Sequence, residues 1–523
     1  MYYFVPSWYG NQRRWYTDVM PWHSISDKIE FDDTINQIRV FQETETPAKL
    51  VILQYFPQLR YFLHRQDLFE TPYSSIFDDI QQIPKDFTVK MISLEDFEWS
   101  EQVEFVYTPF LIMIYENGMQ TGIVDHGPDG NIISIKRMEF NQITSEYILD
   151  DRGFISSIIY YEDNVPHHQE YLTIDGEWVI REQLVGENTV QVNPKFQGYF
   201  KKERYLSIDA LIFEKYRLIE ENFVEDDILV IASSHVHNNF LLTNRKYHFK
   251  TVFSFFLDRL PIENNMETKV WSYAADLIIT DTNSNKQKLL EIDPIFNLKT
   301  HRISSFDTRL QLGSSQQRKE SKIYFYLKSH EDINQDAIKS MLEVVSQDEL
   351  IYIVFALYNV DGFQLAQVEN TIEELINSNF NLEDFEVKED EEVKADGLIE
   401  EGIIEIPPVY RYSIKNFNNE IGVIKELEFT RLIVDLAEEP DLYTQIAGIS
   451  AGIPQINKVE SEYVEHLKNG YIISDFTELN NATDYYLKTL KPWNESLIYS
   501  IEKIKENTGF RMIQKWEEWL GKR

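Results

Sequence analysis

Short apolar runs of strand length alternate along most of this chain with longer segments whose apolar residues recur at helical spacing. Tyr2 to Tyr9 reads as a buried strand. Asp32 or Asp33 can cap a following helix, in which Phe31, Ile35, Ile38 and Phe41 fall on one face. Val51 to Phe56 is continuously apolar, as a strand buried on both faces would be. The same alternation returns at Ile228–Ala232, Thr251–Leu257 and Leu277–Thr280, separated by helix-length segments. It returns again at Ile323–Leu327, a helix near Asp336–Val345, Ile351–Leu357, a helix near Val368–Ile376, and Leu432–Leu436. Repeated strand and helix units predict parallel sheets covered by helices, an α/β fold.

From about residue 103 to 193 the texture changes. β-forming runs such as Phe105–Tyr115, Ile132–Met138, Ile158–Tyr161 and Trp178–Ile180 are separated by turn signals: Asp125-His-Gly-Pro-Asp-Gly-Asn131, Asp151-Arg-Gly153, Asp175-Gly176 and Gly186-Glu-Asn188. This predicts an antiparallel meander, too long for an ordinary connection. Residues 1–102 and 195–310 are therefore expected to form a first Rossmann-like domain, carrying an antiparallel β insert at 103–194. Residues 315–490 should form a second, and residues 491–523 terminal helices that pack back on the first. The polar stretch Ser304 to Lys322 is the linker candidate. The tail shows amphipathic spacing at Leu497, Ile501 and Ile504, and after Gly509 at Ile513, Trp516 and Leu520.

Composition narrows the class. In 523 residues, 43% hydrophobic and 14% aromatic content excludes disorder of the whole chain. No apolar run is long enough for a transmembrane helix, and the opening residues do not predict a secretory signal. The net charge of −37 argues against nonspecific nucleic-acid binding, which needs clustered Lys and Arg. The acidic run Glu389-Asp-Glu-Glu392 reads as a solvated loop. With no cysteine there are no disulfides, thiolate metal sites or cysteine nucleophiles, in keeping with a reducing compartment.

Candidate chemistry is sparse. Ser233, Ser234, His235 and His237 follow the strand Ile228–Ala232, where open α/β sheets meet ligands. No carboxylate near the two histidines has metal-ligand spacing, so they are either structural or in contact with a sugar or partner. His167-His168 is read as an exposed turn of the insert. Trp8, Tyr9, Trp15, Tyr16 and Trp22 suit core packing, with sugar stacking as the other use. Gly448-Ile-Ser-Ala-Gly452 matches the spacing of a hydrolase elbow, which needs a strand before the serine and a helix after it. Here Tyr443–Ala447 looks helical and Gly452-Ile-Pro454 looks like a helix stop, the reverse order. Dinucleotide, P-loop and zincin motifs are lacking. No catalytic, cofactor-binding or metal-ligating residue is predicted.

Leu432-Ile-Val-Asp-Leu-Ala-Glu-Glu439, Ala447-Gly-Ile-Ser-Ala-Gly-Ile-Pro454 and Tyr463-Val-Glu-His-Leu-Lys-Asn-Gly470 resemble the donor-site region of the two-domain nucleotide-sugar glycosyltransferases called GT-B. That resemblance implies two glutamates, the second holding the donor ribose, and an Arg and Lys pair for the diphosphate. Glu439 takes the first glutamate place and Ala447 the second, and Pro440-Asp-Leu-Tyr443 replaces the glycines between. Lys328 can stand for the Arg, whereas Ile333 stands where the Lys belongs. A degenerate donor site is expected, with Ser233, His235, His237 and Glu439 as candidate cleft contacts.

The amino-terminal Met1-Tyr-Tyr-Phe-Val-Pro-Ser-Trp-Tyr9, with Trp15-Tyr16, Phe31-Asp-Asp-Thr-Ile-Asn-Gln-Ile-Arg39 and Tyr485-Tyr-Leu-Lys-Thr-Leu-Lys-Pro-Trp-Asn494, is similar to the first-protein family of the accessory Sec system of streptococci and staphylococci. The resemblance implies a cytosolic, non-catalytic GT-B-like component without cofactor. Its implied partners are the second and third accessory secretory proteins, glycosylated serine-rich-repeat adhesin and the accessory SecA ATPase, with any membrane contact made peripherally through the complex. The other reading open at this level is an active GT-B glycosyltransferase that moves sugar from a nucleotide sugar to the adhesin.

Overall fold

The structure, a computed structural model, describes residues 1–11, 13–18, 20–24, 30–245, 249–331, 333–387 and 409–521. The acidic run at 389–392 lies outside the described residues. The chain forms two compact units: residues 1–24, 32–302 and 515–523 in the first, residues 25–31 and 303–514 in the second. Among the described residues the strands make three sheets, and no helix is long and apolar enough to cross a membrane.

In the first unit a seven-stranded parallel sheet runs in the order Thr300–Arg302, Leu277–Thr280, Lys250–Phe255, Ile228–Ala232, Tyr2–Val5, Ala48–Ile52, Tyr73–Ser75. The amino-terminal strand lies inside the sheet, next to the middle strand, with Tyr2 opposite both Ile228 and Ala48. That position explains its unbroken apolar character, because an interior parallel strand has no solvent face. Asp32 caps the helix Asp33–Glu43 by accepting the Ile35 N–H at 2.9 Å. Ile35, Ile38 and Phe41 of that helix are fully buried.

A ten-stranded antiparallel sheet follows, its strands consecutive in the chain from Val103–Tyr107 to Arg204–Tyr205. Several hairpins close on two residues of positive φ, at Asn117-Gly118, Phe140-Asn141 and Asp163-Asn164, the turn whose twist matches that of the strands. The last of these corrects the reading of His167-His168. The hairpin closes before them, so both lie half-buried in the strand Val165–Leu172, with His168 stacked on Tyr160 at 4.6 Å. Ile148, Ile159, Tyr171, Val179 and Ile180 of this sheet share one core with Tyr55, Phe77 and the parallel sheet. Trp8, Trp15 and Tyr16 are buried, Tyr9 is half-buried, and Trp22 is exposed beside Phe110.

The chain returns to this unit at Lys515. Trp516 is fully buried there, against the rings of Tyr2, Phe4 and Phe41.

The second unit has a six-stranded parallel sheet in the order Tyr412–Phe417, Ile351–Tyr358, Ser321–Tyr326, Thr430–Asp435, Gln455–Asn457, Gly470–Ile472. Helices Gln335–Gln347 and Gly362–Asn379 contribute Ile338, Met341, Leu342, Val368, Ile372 and Ile376 to its core. The linker candidate begins as a packed strap, not an exposed one. Ser304, Ser305 and Asp307 are buried, and Tyr443 donates its hydroxyl to Asp307 at 3.1 Å. The helix Leu490–Glu506 belongs to this unit, where Trp493 is fully buried and its indole N–H reaches the Arg431 carbonyl at 2.8 Å.

Candidate functional site

In the first unit the residues after the strand Ile228–Ala232 separate by environment. His235 is exposed, its ring edge-on to Trp271. His237 is fully buried; its Nε2 faces the Ala232 carbonyl at 2.7 Å and its Nδ1 the Tyr9 hydroxyl at 2.7 Å. Burial pushes this imidazole down to about 3, so Nε2–H donates to Ala232 and Nδ1 accepts from Tyr9. It pins the strand end to the amino-terminal loop. Ser233 is buried, and its hydroxyl has no hydrogen-bond partner among the described residues. Of Ser233, Ser234, His235 and His237, only His235 stands open.

The space at the carboxyl ends of these strands is filled by the chain itself. Arg259, which follows the strand Lys250–Phe255, bonds Asp33 at 2.6 and 3.2 Å, Asp32 at 3.3 Å and the carbonyls of Ser233 and Ser254 at 3.1 and 2.9 Å. Asp32 also receives the Trp8 indole N–H at 3.1 Å. Burial, with the charge of Asp33 added, raises its carboxyl to about 7. Asp281 receives the Leu257 N–H at 2.7 Å and the Asn285 amide at 2.9 Å. Each donor of Arg259 is spent within the protein.

In the second unit the strand Thr430–Asp435, a short loop and the helix Leu442–Ala451 form one strand–helix unit. A helix entering after a parallel strand offers free N–H groups to an anion. Here Asp441 caps that helix by accepting the Thr444 N–H at 2.7 Å. Asp435 accepts the N–H groups of Ala437 at 3.1 Å and Asp441 at 2.7 Å. Burial raises the Asp435 carboxyl to about 7 and also raises that of Asp441.

Glu439 is exposed in the loop, and Lys328 is exposed beyond the strand Ser321–Tyr326. Ala447 is fully buried inside the helix, and Ile333 packs at the edge of the core. A chain of hydroxyls bolts the helix to two strands: Tyr324 donates to Tyr358 at 2.7 Å, and Tyr358 meets Thr444 Oγ1 at 2.9 Å.

The Gly-x-Ser-x-Gly spacing has a packing origin. Ser450 lies in the helix, buried, with its hydroxyl oxygen accepting the Asp307 N–H at 2.9 Å. A Cβ on Gly448 would stand 2.4 Å from Gln455 Nε2. Gly452 ends the helix at φ +70°, where a Cβ would stand 2.2 Å from Leu497. These glycines set a close approach and a left-handed helix end, not a strained nucleophile turn.

Sequence reasoning missed Asp435 and Asp441. The spacing of Asp441 to Thr444 ahead of an apolar run is the signal that marks such a cap. The grouping of Asp32, Asp33, Arg259 and Asp281 has no local signal, because it is assembled from distant loops.

Two parallel sheets and an antiparallel sheet of this order define an α/β protein of the GT-B glycosyltransferase-like class. The crystal structure of the pneumococcal O-GlcNAc transferase GtfA, in complex with UDP and GlcNAc, matches with a TM-score of 0.66 over 100% of this chain and 99% of that one. Its sequence identity is 12%, so the likeness is one of fold. The family profile described as accessory Sec system protein, for accessory secretory protein 1, matches residues 1–523. The accessory Sec system protein of Streptococcus gordonii is 45% identical over 523 residues, 99% of each chain. A chain in the crystal structure of accessory secretory proteins 1, 2 and 3 in Streptococcus pneumoniae is 40% identical. It matches with a TM-score of 0.89 over 100% of this chain and 99% of that one. The chain belongs to this accessory Sec family and is a component of that system.

Proposed function

We propose that this protein is a non-catalytic scaffold of adhesin export in the cytoplasm. It holds the second and third accessory secretory proteins, binds glycosylated serine-rich-repeat adhesin and presents it to the accessory SecA motor. The observation that carries the non-catalytic part is the entry of the helix Leu442–Ala451, where the N–H groups of Asp441 and Thr444 are already taken by the carboxylates of Asp435 and Asp441. Buried Ala447 offers no acceptor for a ribose hydroxyl, and Lys328 supplies one cation where two phosphates need more. The solved complex of accessory secretory proteins 1, 2 and 3 supports the choice of partners.

Two experiments test this reading. Co-purification of the chain with the second and third proteins, with and without glycosylated adhesin, should recover both partners and retain the adhesin. Calorimetry with UDP-sugars should give no heat of binding at micromolar concentrations. Tight binding accompanied by sugar transfer to the adhesin would replace the scaffold with an active glycosyltransferase.

A further inference from the structure

Along the helix Ile208–Glu220, between the segment 201–205 and Phe240, the first unit carries an open surface groove of about 430 Å³. Its lining shares no residue with the Arg259 and His237 networks. The floor is aromatic: Phe213 and Phe240 stack with centroids 3.9 Å apart and planes 9° apart, and Tyr205 forms one wall. The rim is cationic. Lys201 and Lys202 are exposed, with the Lys202 ammonium 6.0 Å from the Tyr205 ring, and the Arg217 guanidinium lies 4.9 Å over Phe240.

The bookkeeping of charge in the groove leaves an excess. Arg217 is held by Glu220 and the Asn244 carbonyl. Glu214, the carboxylate in the lining, is turned to the protein, accepting the Tyr205 hydroxyl at 2.8 Å and the Lys201 backbone N–H at 2.9 Å. Neither the Lys201 nor the Lys202 side chain forms an ion pair among the described residues, whereas nearby Lys195 is paired with Glu177. In a chain of net charge −37 such a site runs against the overall field. Two unpaired ammonium groups above an apolar floor complement an occupant that brings carboxylates and an apolar side chain together.

We propose that this groove docks an acidic segment of a partner polypeptide. Its carboxylates meet Lys201 and Lys202, and an intervening aliphatic or aromatic side chain lies on the Phe213 and Phe240 rings. The surface is independent of whether the chain transfers sugar.

The test is fluorescence anisotropy with the full chain and a labelled synthetic peptide of alternating Glu and Leu. A peptide of alternating Glu and Ser and vesicles of phosphatidylglycerol and phosphatidylcholine are run beside it. The Glu and Leu peptide should bind saturably, more tightly than the Glu and Ser peptide, and weaken as salt rises. The double variant Lys201→Glu, Lys202→Glu should lose about tenfold or more in affinity at unchanged melting temperature. The neutral pair Lys201→Gln, Lys202→Gln should fall between. Failure of the Glu and Leu peptide to bind, equal binding by the Glu double variant, or dependence of vesicle binding alone on these lysines would overturn the proposal.

Discussion

The backbone N–H of Asp441 points at the carboxylate of Asp435, 2.7 Å away, so the residue that caps the helix Leu442–Ala451 is itself held by a side chain of the preceding strand. A carboxyl group thus stands beside the amino-terminal end of the helix, where anions are favoured. The consequence is electrostatic as well as steric, since the carboxylate is fixed in a buried setting.

This pair should leave a pH signature. Burial raises the Asp435 carboxyl to about 7, with the charge of Asp441 adding to it and the two N–H contacts opposing it. Between the ordinary carboxylate range and that value the native state holds more protons than the unfolded chain. The associated stability is therefore present at low pH and is lost as pH rises toward 7. Asp435→Asn lacks this contribution. The melting temperature of the wild type minus that of the variant should grow as pH falls from about 8 to about 5. A constant difference would show that Asp435 does not titrate in this window.

His237 should behave as a fixed neutral pin. With its imidazole pushed down to about 3, its ring proton signals should stay constant from about pH 5 to pH 8 in an NMR titration. Tyr9→Phe removes the hydroxyl that donates to Nδ1 and leaves a buried acceptor unpaired. Denaturant unfolding should register a loss of about 1–3 kcal/mol. A titrating ring, or an unchanged midpoint in the variant, would contradict the assigned geometry.

The two tail tryptophans should act on different parts of the molecule. Trp516→Ala removes a fully buried ring from among Tyr2, Phe4 and Phe41, and Trp493→Ala removes one stacked 4.6 Å under the Arg431 guanidinium. Each should cost about 3–5 kcal/mol. Hydrogen exchange should accelerate in the strand Tyr2–Val5 for the first and in Thr430–Asp435 for the second. Identical exchange patterns in the two variants would argue that the tail packs as one piece.

Glu439→Ala should leave adhesin export in whole cells close to wild type, because the side chain is exposed in its loop. Asp441→Ala, by contrast, deletes a cap and should lower stability by about 0.5–2 kcal/mol. Complete loss of export in a folded, partner-bound Glu439→Ala protein would restore a function to the donor region.

Local pattern carried much of the fold. Ile228–Ala232 and Leu277–Thr280 are strands at the boundaries read from their apolar runs. Gly448 to Gly452 was legible as the wrong order for a nucleophile turn, and it sits in a helix that stops at Gly452. The run Val51–Phe56 was less legible: the strand is Ala48–Ile52, and burial continues past its end at Leu53 and Tyr55. Apolar character reports burial, and burial outlasts the strand. His167 and His168 were misplaced because polar residues on a half-buried strand carry the same composition as a turn.

The sequence alone determined the alternation of parallel units, the antiparallel run of strands and the helical tail. Hydrophobic period, turn residues and substitutions at motif positions are properties of neighbours along the chain. The tertiary structure decided that Asp32, Asp33 and Arg259 fill one set of strand ends and that Ser233 and His237 are sealed while His235 is open. It also decided that Lys201, Lys202, Phe213 and Phe240 line one groove. Those outcomes depend on which charges burial brings together across distant segments, and burial is set by packing of the whole unit rather than by any window of sequence.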